Sequence, residues 1–347
     1  MLILQAVRIL ILSGLSFLIA LSFTPFLVRF LSKYQLGKQI RVSEQAPIFS
    51  KLHQAKAGTP TMGGIIIWLT VLGLAFLFFV LSSFFDGVWD YFNFTDRAQT
   101  YLPIAAMLIA AIVGLADDLF GVLKIGPNGG GLKVRHKLII YTIIATLGAW
   151  WFYFILDWSV FYIPFFGNIE IHGWYFFIFM FVIIASAFSA NETDGLDGLL
   201  GGVSLFAFAA LMAVAFFLGR YDLAVFNGVV IGALLAFLWF NVYPARFFMG
   251  DTGSMALGIT LGVTAMLTNT ALFLPFFMII PVVESLSVII QLTSKKLFKR
   301  KIFLSTPIHH HFEALGWPET KVTMRFWIIS AVSAGLGLIL FFLSKFL

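Results

Sequence analysis

The chain has 347 residues, of which 61% are hydrophobic, 17% aromatic and only 11% charged, with a formal net charge of +6. Soluble domains are roughly 45–50% apolar and about 25% charged, so this composition excludes an ordinary soluble enzyme, a disordered chain and a nucleic-acid binder with a charged face. The absence of cysteine excludes a disulfide framework, a thiol nucleophile and a thiolate metal site.

A membrane-crossing helix needs about 20 apolar residues. In chain order, ten stretches meet or approach this length, at about 6–32, 62–83, 100–116, 137–156, 173–190, 199–219, 223–240, 254–268, 271–293 and 323–345. The apolar stretch at the start runs on as a full-length span and does not read as a cleaved signal. The third and eighth stretches are short for a span. Residues 157–173 alternate in polarity and carry Pro and Gly, which predicts a small hairpin on the external side. The expected fold is therefore an all-α polytopic membrane protein, with residues 1–347 forming one bundle of about ten helices.

Basic residues set the orientation. One set of loops and adjoining helix ends holds Arg29, Lys33, Lys38, Arg41, Lys51, Lys56, Lys124, Lys133, Arg135, Lys137, Arg246, Lys295, Lys296, Lys299, Arg300, Lys301, Lys321 and Arg325. The other holds only Arg8, Arg97, Arg220 and Lys345. The first set is expected to be cytoplasmic, with both termini outside, and the net charge reads as topology rather than as affinity for nucleic acid.

Acidic residues gather in three places on that same face. Asp117 and Asp118 close the third span, where two adjacent carboxylates add to the negative end of a helix and call for a cation. The bland alternative is a pair of solvated loop acids. After the fifth span, Asn191, Asp194 and Asp197 recur every third residue, which on a helical turn is one face. A helix N-cap explains one of these residues but not three. The third place is the segment from Asn241 to Ser254, in which Asp251 stands between Gly250 and Thr252-Gly253 just before a helix. It reads either as an N-cap or as a carboxylate poised for a metal or beside a phosphate.

Two basic loops complete this face. One runs from His53 through Lys56, Thr59, Pro60 and Thr61 to Gly63-Gly64; the other runs from Lys295 to Phe312 and contains His309-His310-His311. Three successive histidines cannot all reach one metal from a regular element, so they suit phosphate or substrate contacts better than zinc. A basic loop lying on anionic lipid is the alternative. Clustered carboxylates with flanking Lys and His fit a hard cation and phosphate oxygens, and phosphoryl transfer relies chiefly on positioning and charge neutralisation. Glu284 stands alone inside the ninth span, and an intramembrane acid is either functional or a buried structural group.

At these residues the chain resembles the polyprenyl-phosphate N-acetylhexosamine-1-phosphate transferase superfamily, and within it the MraY family of phospho-N-acetylmuramoyl-pentapeptide transferases. The superfamily features are Asp117-Asp118, the run Asn191 to Gly198, and Gly250-Asp251; the more specific ones are Gly58 to Gly64, Phe248 to Ser254, and Pro307 to Glu313. The resemblance spans essentially the whole chain. Glu192 departs from it, standing where an apolar residue is expected.

The resemblance implies ten spans, a bacterial cytoplasmic membrane, a homodimer and a reaction. Phospho-MurNAc-pentapeptide would pass from UDP-MurNAc-pentapeptide to undecaprenyl phosphate with Mg²⁺, giving lipid I and UMP. It also implies roles. Asp251 would hold Mg²⁺, alone or with Asp117 and Asp118. Asp117 or Asp118 would orient or deprotonate the attacking lipid phosphate, and direct attack is favoured over a phospho-enzyme because a phosphate is already anionic at neutral pH. His309 is a further catalytic candidate. Asn191, Asp194, Asp197, Asn241 and Phe248 fall on the nucleotide side, with Phe248 as a stacking ring. Lys56, Thr61, Lys124, Lys133, His310 and His311 are assigned to phosphate or sugar-peptide contacts, and Gln291 is expected to face the same cleft. The competing readings are a sister transferase using UDP-GlcNAc, a secondary transporter, whose charged sites lie near the midplane, and a scaffold without chemistry.

Overall fold

The computed structural model describes residues 2–37, 56, 58–96, 99–126 and 130–346. Lys38, Arg41, Lys51, Arg97 and the loop residues His53, Gln54, Ala55 and Ala57 lie outside the described residues.

Ten long helices carry the chain: α1 (Leu2–Lys33), α2 (Ile65–Phe84), α3 (Tyr101–Val122), α4 (Val134–Trp150), α5 (Trp174–Thr193), α6 (Leu199–Phe217), α7 (Tyr221–Asn241), α8 (Asp251–Leu267), α9 (Ile279–Phe298) and α10 (Glu319–Phe346). Eight of them, all but α8 and α9, are long and apolar enough to cross a membrane; a ninth span results if α9 is joined to Ala271–Phe277, which it meets at 89°. Two expectations change here, and a third is explained. The ninth stretch is sharply bent rather than straight, because Pro281 has no N–H to offer the carbonyl of Phe277 and the helix cannot run through. The third stretch is not short: α3 runs 22 residues and carries Asp117 and Asp118 inside its last turns. The eighth, α8, has 17 residues, and every one from Thr252 to Leu267 is buried.

That burial explains the composition of α8. A helix apolar all round belongs in a core, and α8 packs between α3 and α5, while α1 runs along α7 and α6 lies against α7 and α10. Apolar side chains gain little by leaving lipid, so close packing of small residues carries such contacts. A Cβ on Gly258 would lie 2.7 Å from both the Cβ of Ala190 and the carbonyl of Ser186, and one on Gly262 would meet Ile183 and Ser186. Gly228 and Gly232 of α7 repeat the four-residue spacing against Ser13 and Ser16 of α1. The outer faces of α1, α2 and α4 expose Leu, Ile and Phe, as a lipid-facing surface does.

The hairpin expected at 157–173 is present as two antiparallel strands, β1 (Val160–Ile163) and β2 (Gly167–Glu170). It is anchored to the bundle by Asn269, whose Oδ1 accepts the Tyr162 N–H at 3.0 Å, and by Tyr162, whose hydroxyl donates to the carbonyl of Ser344.

Gly258→Leu should lower the melting temperature of the detergent-purified protein, since overpacking costs about 1–3 kcal/mol. Gly73→Leu, where nothing lies within 4 Å of the added Cβ, should not. Equal melting temperatures would refute close α8–α5 packing.

Candidate active site

One end of the bundle collects the N-termini of α2, α4, α6, α8 and α10 and the C-termini of α3, α5, α7 and α9. The start of α8 organises it. Its first two N–H groups have no intrahelical partner, and the Asp118 carboxylate accepts them, Oδ1 from Asp251 N and Oδ2 from Thr252 N, both at 3.0 Å. Gly250 makes this possible. Its φ of +76° favours glycine, and a Cβ there would lie 2.5 Å from Asp118 Oδ2. The Thr252 hydroxyl donates to the Ala111 carbonyl at 2.9 Å and accepts from Trp68 Nε1 at 3.1 Å, tying α8 to α3 and α2.

The other two acids converge on Lys137. Its ammonium lies 2.8 and 2.7 Å from Asp251 Oδ1 and Oδ2, and 3.0 Å from Asp117 Oδ2. Asn191 donates from Nδ2 to Asp251 Oδ1 and to Ser254 Oγ. Asp117, buried at 3% exposure, also accepts the Leu132 N–H. In sequence Lys137 reads only as a topology signal. The clue to its role is its place directly before Leu138-Ile139-Ile140, which draws a lysine into the apolar part of a helix, where an ionisable group needs a reason.

Several predicted residues are brought to this end but carry structure. Asn241 bridges two turns, accepting Gly198 N–H at 3.0 Å and donating to the Phe247 carbonyl at 2.8 Å. Gln291 does not line an open cleft: its amide accepts from Ile302 and Phe303 N–H and donates to the Phe303 carbonyl, stapling the loop that leads to the histidines. The glycines at 63 and 64 form no phosphate cradle, because their N–H groups donate to the carbonyls of Phe248 and Met249, both at 2.8 Å. Thr61 is buried in the same strand-like pairing, its N–H on the Leu36 carbonyl.

The histidines share a short helix, Ile308–Ala314. His309 is fully buried, with Nδ1 3.0 Å from Glu284 Oε2. Burial disfavours a charged ring there, but the Glu284 carboxylate outweighs it and raises the imidazole pKa. Glu284 is thereby explained as the partner of His309. His310 Nδ1 lies 2.6 Å from Glu313 Oε2, and His311 Nδ1 accepts the Leu304 N–H. Asn191, Glu192, Asp194, Gly195, Pro307, His309 and His310 line one cleft. The departing Glu192 thus faces the same space as the histidines.

Lys56 is held by Asp197 Oδ1 at 2.6 Å and Glu319 Oε1 at 2.5 Å, with its ammonium 5.9 Å from the centre of the Phe248 ring and 5.8 Å from that of Tyr243. Lys124 and Lys133 are exposed on the loop between α3 and α4 and are not drawn into the cluster.

Removing the Asp118 carboxylate orphans two N–H groups at the start of α8. Asp118→Ala should therefore cost about 1–2 kcal/mol, read as a lower melting temperature, while Asp118→Asn, which keeps one acceptor oxygen, should lose less. An unchanged melting temperature for Asp118→Ala would contradict the capping role.

The chain is similar in sequence to known proteins. Residues 100–269 match the family model for glycosyl transferase family 4, and residues 56–67 match phospho-N-acetylmuramoyl-pentapeptide-transferase signature 1. The phospho-N-acetylmuramoyl-pentapeptide-transferase of Geobacillus thermodenitrificans is 38% identical over 336 residues, covering 95% of this chain and 97% of the relative. The transferase of the same name from Borrelia hermsii is 35% identical over 343 residues, covering 93% and 92%. With near-complete coverage at this identity, the chain belongs to the phospho-N-acetylmuramoyl-pentapeptide-transferase family.

Proposed function

We propose that the protein transfers phospho-MurNAc-pentapeptide from UDP-MurNAc-pentapeptide to undecaprenyl phosphate, releasing UMP and forming lipid I. The observation that carries this reading is the Asp117–Lys137–Asp251 cluster, in which one ammonium bridges two carboxylates at a helix N-terminus. Family membership selects the muramoyl donor over the UDP-GlcNAc sister reaction. Acids gathered at one end of the bundle speak against a midplane transport site.

The attack forms a bond between a lipid-phosphate oxygen and the donor phosphorus next to the sugar. The bond to the bridging oxygen breaks, and UMP leaves with that oxygen. Asp117 orients the lipid phosphate. Asp118 serves the site by holding the start of α8, one backbone N–H on each oxygen. Lys137 neutralises the charge that develops on the diphosphate. Asn191 fixes the Asp251 carboxylate through its amide. Lys56 and Phe248 stand where a nucleotide's phosphates and base would meet a cation and a ring.

The residues fit Mg²⁺. It takes one or two protein carboxylates and completes its shell with water and substrate phosphates, and Asp117 with Asp251 supply two such groups around a point that the Lys137 ammonium marks as cationic. When bound there, the ion would supply further charge neutralisation on the diphosphate. Among the described residues no set of three acidic or imidazole groups surrounds one point.

The finer placement rests on the basic loops. Lys56, Lys124, Lys133, Lys295 and Arg300 adjoin the active-site end, which supports a cytoplasmic location for it under the positive-inside rule. Counting α8 and the bent α9 as spans gives ten crossings with both termini outside, in the bacterial cytoplasmic membrane. A homodimer follows from the resemblance.

Purified protein given UDP-MurNAc-pentapeptide, undecaprenyl phosphate and Mg²⁺ should release UMP, and chelation by EDTA should stop it. Lys137→Met and Asp251→Ala should each lose at least about 10²-fold in turnover, the scale of a lost charge-stabilising group, while remaining extractable. Near wild-type turnover by Asp251→Ala would overturn the metal assignment, and equal turnover with UDP-GlcNAc would favour the sister reaction.

A further inference from the structure

The N-terminal face of α10 grips the loop between α5 and α6 at three levels. Glu319, Thr323 and Trp327 recur every fourth residue and so share one side of the helix. Glu319 Oε1 accepts the Asp197 N–H at 2.6 Å, the Thr323 hydroxyl donates to the Asp197 carbonyl at 3.3 Å, and Trp327 Nε1 donates to the Gly198 carbonyl at 3.1 Å. A Cβ on Gly202 would lie 2.0 Å from the Trp327 ring, so the indole and the start of α6 are in close contact. The same Glu319 oxygen accepts from Lys56.

Asp197 is 4% exposed and has both oxygens occupied, Oδ1 by Lys56 and Oδ2 by the Ala245 N–H at 3.0 Å. What this corner presents is the Lys56 ammonium. An ammonium has three donors; two are taken by Asp197 and Glu319, and the group lies within cation–π range of Phe248 and Tyr243.

We propose that Glu319 is a positioning residue for the nucleotide donor. It fixes Lys56 over Phe248 and fixes the Asp197–Gly198 backbone beneath it, so that donor binding depends on α10 although Glu319 itself touches no substrate. This rests on the donor site proposed above. The acceptor phosphate is assigned to Asp117, which is held by Lys137 and shares none of the hydrogen bonds of this corner. Glu319 acts through its oxygen as an acceptor, so the amide of Gln can stand in for it and the methyl of Ala cannot.

The test is steady-state kinetics with each substrate varied in turn, together with UMP affinity by calorimetry on the full-length purified protein. Glu319→Ala should raise KM for the UDP-linked donor about 10- to 100-fold, the scale of a charge-assisted hydrogen bond, and weaken UMP binding similarly. Its kcat and its KM for undecaprenyl phosphate should stay within about threefold. Glu319→Gln should recover most of the donor KM, and Thr323→Val should show a smaller effect in the same direction. An unchanged donor KM in Glu319→Ala would overturn the proposal, as would equal losses for both substrates or failure of Gln to rescue. If Glu319→Ala does not fold, Glu319→Gln against Thr323→Val gives the same donor-selective comparison. Absence of UMP release by the unsubstituted protein would instead defeat the functional reading itself, so the two failures are distinguishable.

Discussion

The ammonium of Lys137, held between Asp117 and Asp251, is the contact on which the rest of the active end depends. Two carboxylates that close repel each other and resist burial. A third, Asp118, lies beside them. The structure keeps all three by answering each with donors, Lys137 being shared by two of them. Asp118 receives the N–H groups of α8, Asp251 receives Lys137 and the Asn191 amide, and Asp117 receives Lys137 and the Leu132 N–H. With the charges answered locally, α3 runs past Asp117 and Asp118 instead of ending at them.

The requirement propagates outward. For Asp118 to reach the start of α8, Gly250 must turn without a side chain and Gly114 must let the Asp251 backbone approach, since a Cβ at Gly114 would lie 2.2 Å from the Asp251 carbonyl. Depth follows: α8 can end in a charged cluster only because its remaining length is buried on all sides, packed through Gly258 and Gly262 onto α5. Around this axis the other polar residues are chiefly struts. Asn241, Gln291 and Glu284 each satisfy loop backbone or a histidine, leaving Lys56, Lys137, Asp117, Asp251 and the cleft beside Glu192 and His309 as the groups on which the proposed chemistry rests.

Much of this was legible in the residues. Apolar runs marked the long helices, alternation marked the hairpin, and the carboxylate clusters marked the functional end, because composition and periodicity report directly on burial. Three things were not. The bend before α9 was hidden because Pro281 sits inside an otherwise apolar run, and hydropathy does not register a missing donor. Gln291 and Asn241 look like substrate ligands in sequence because an amide near a cluster gives no sign of whether its partners are ligand or backbone. Lys137 was counted with the loop cations, since only the three-dimensional approach of α4 to α8 shows that its charge is used. The same holds for Glu319, more than 120 residues beyond the Asp197 N–H it accepts.

The most direct measurement is a structure of the protein with Mg²⁺ and UDP-MurNAc-pentapeptide, or UMP as its product. The diphosphate should sit in contact with Lys137 and Asp251, with the metal on the Asp251 side and the uracil over Phe248. A diphosphate seated away from Lys137, with the Asp117–Lys137–Asp251 cluster left as it is, would contradict the assignment of this cluster as the catalytic centre.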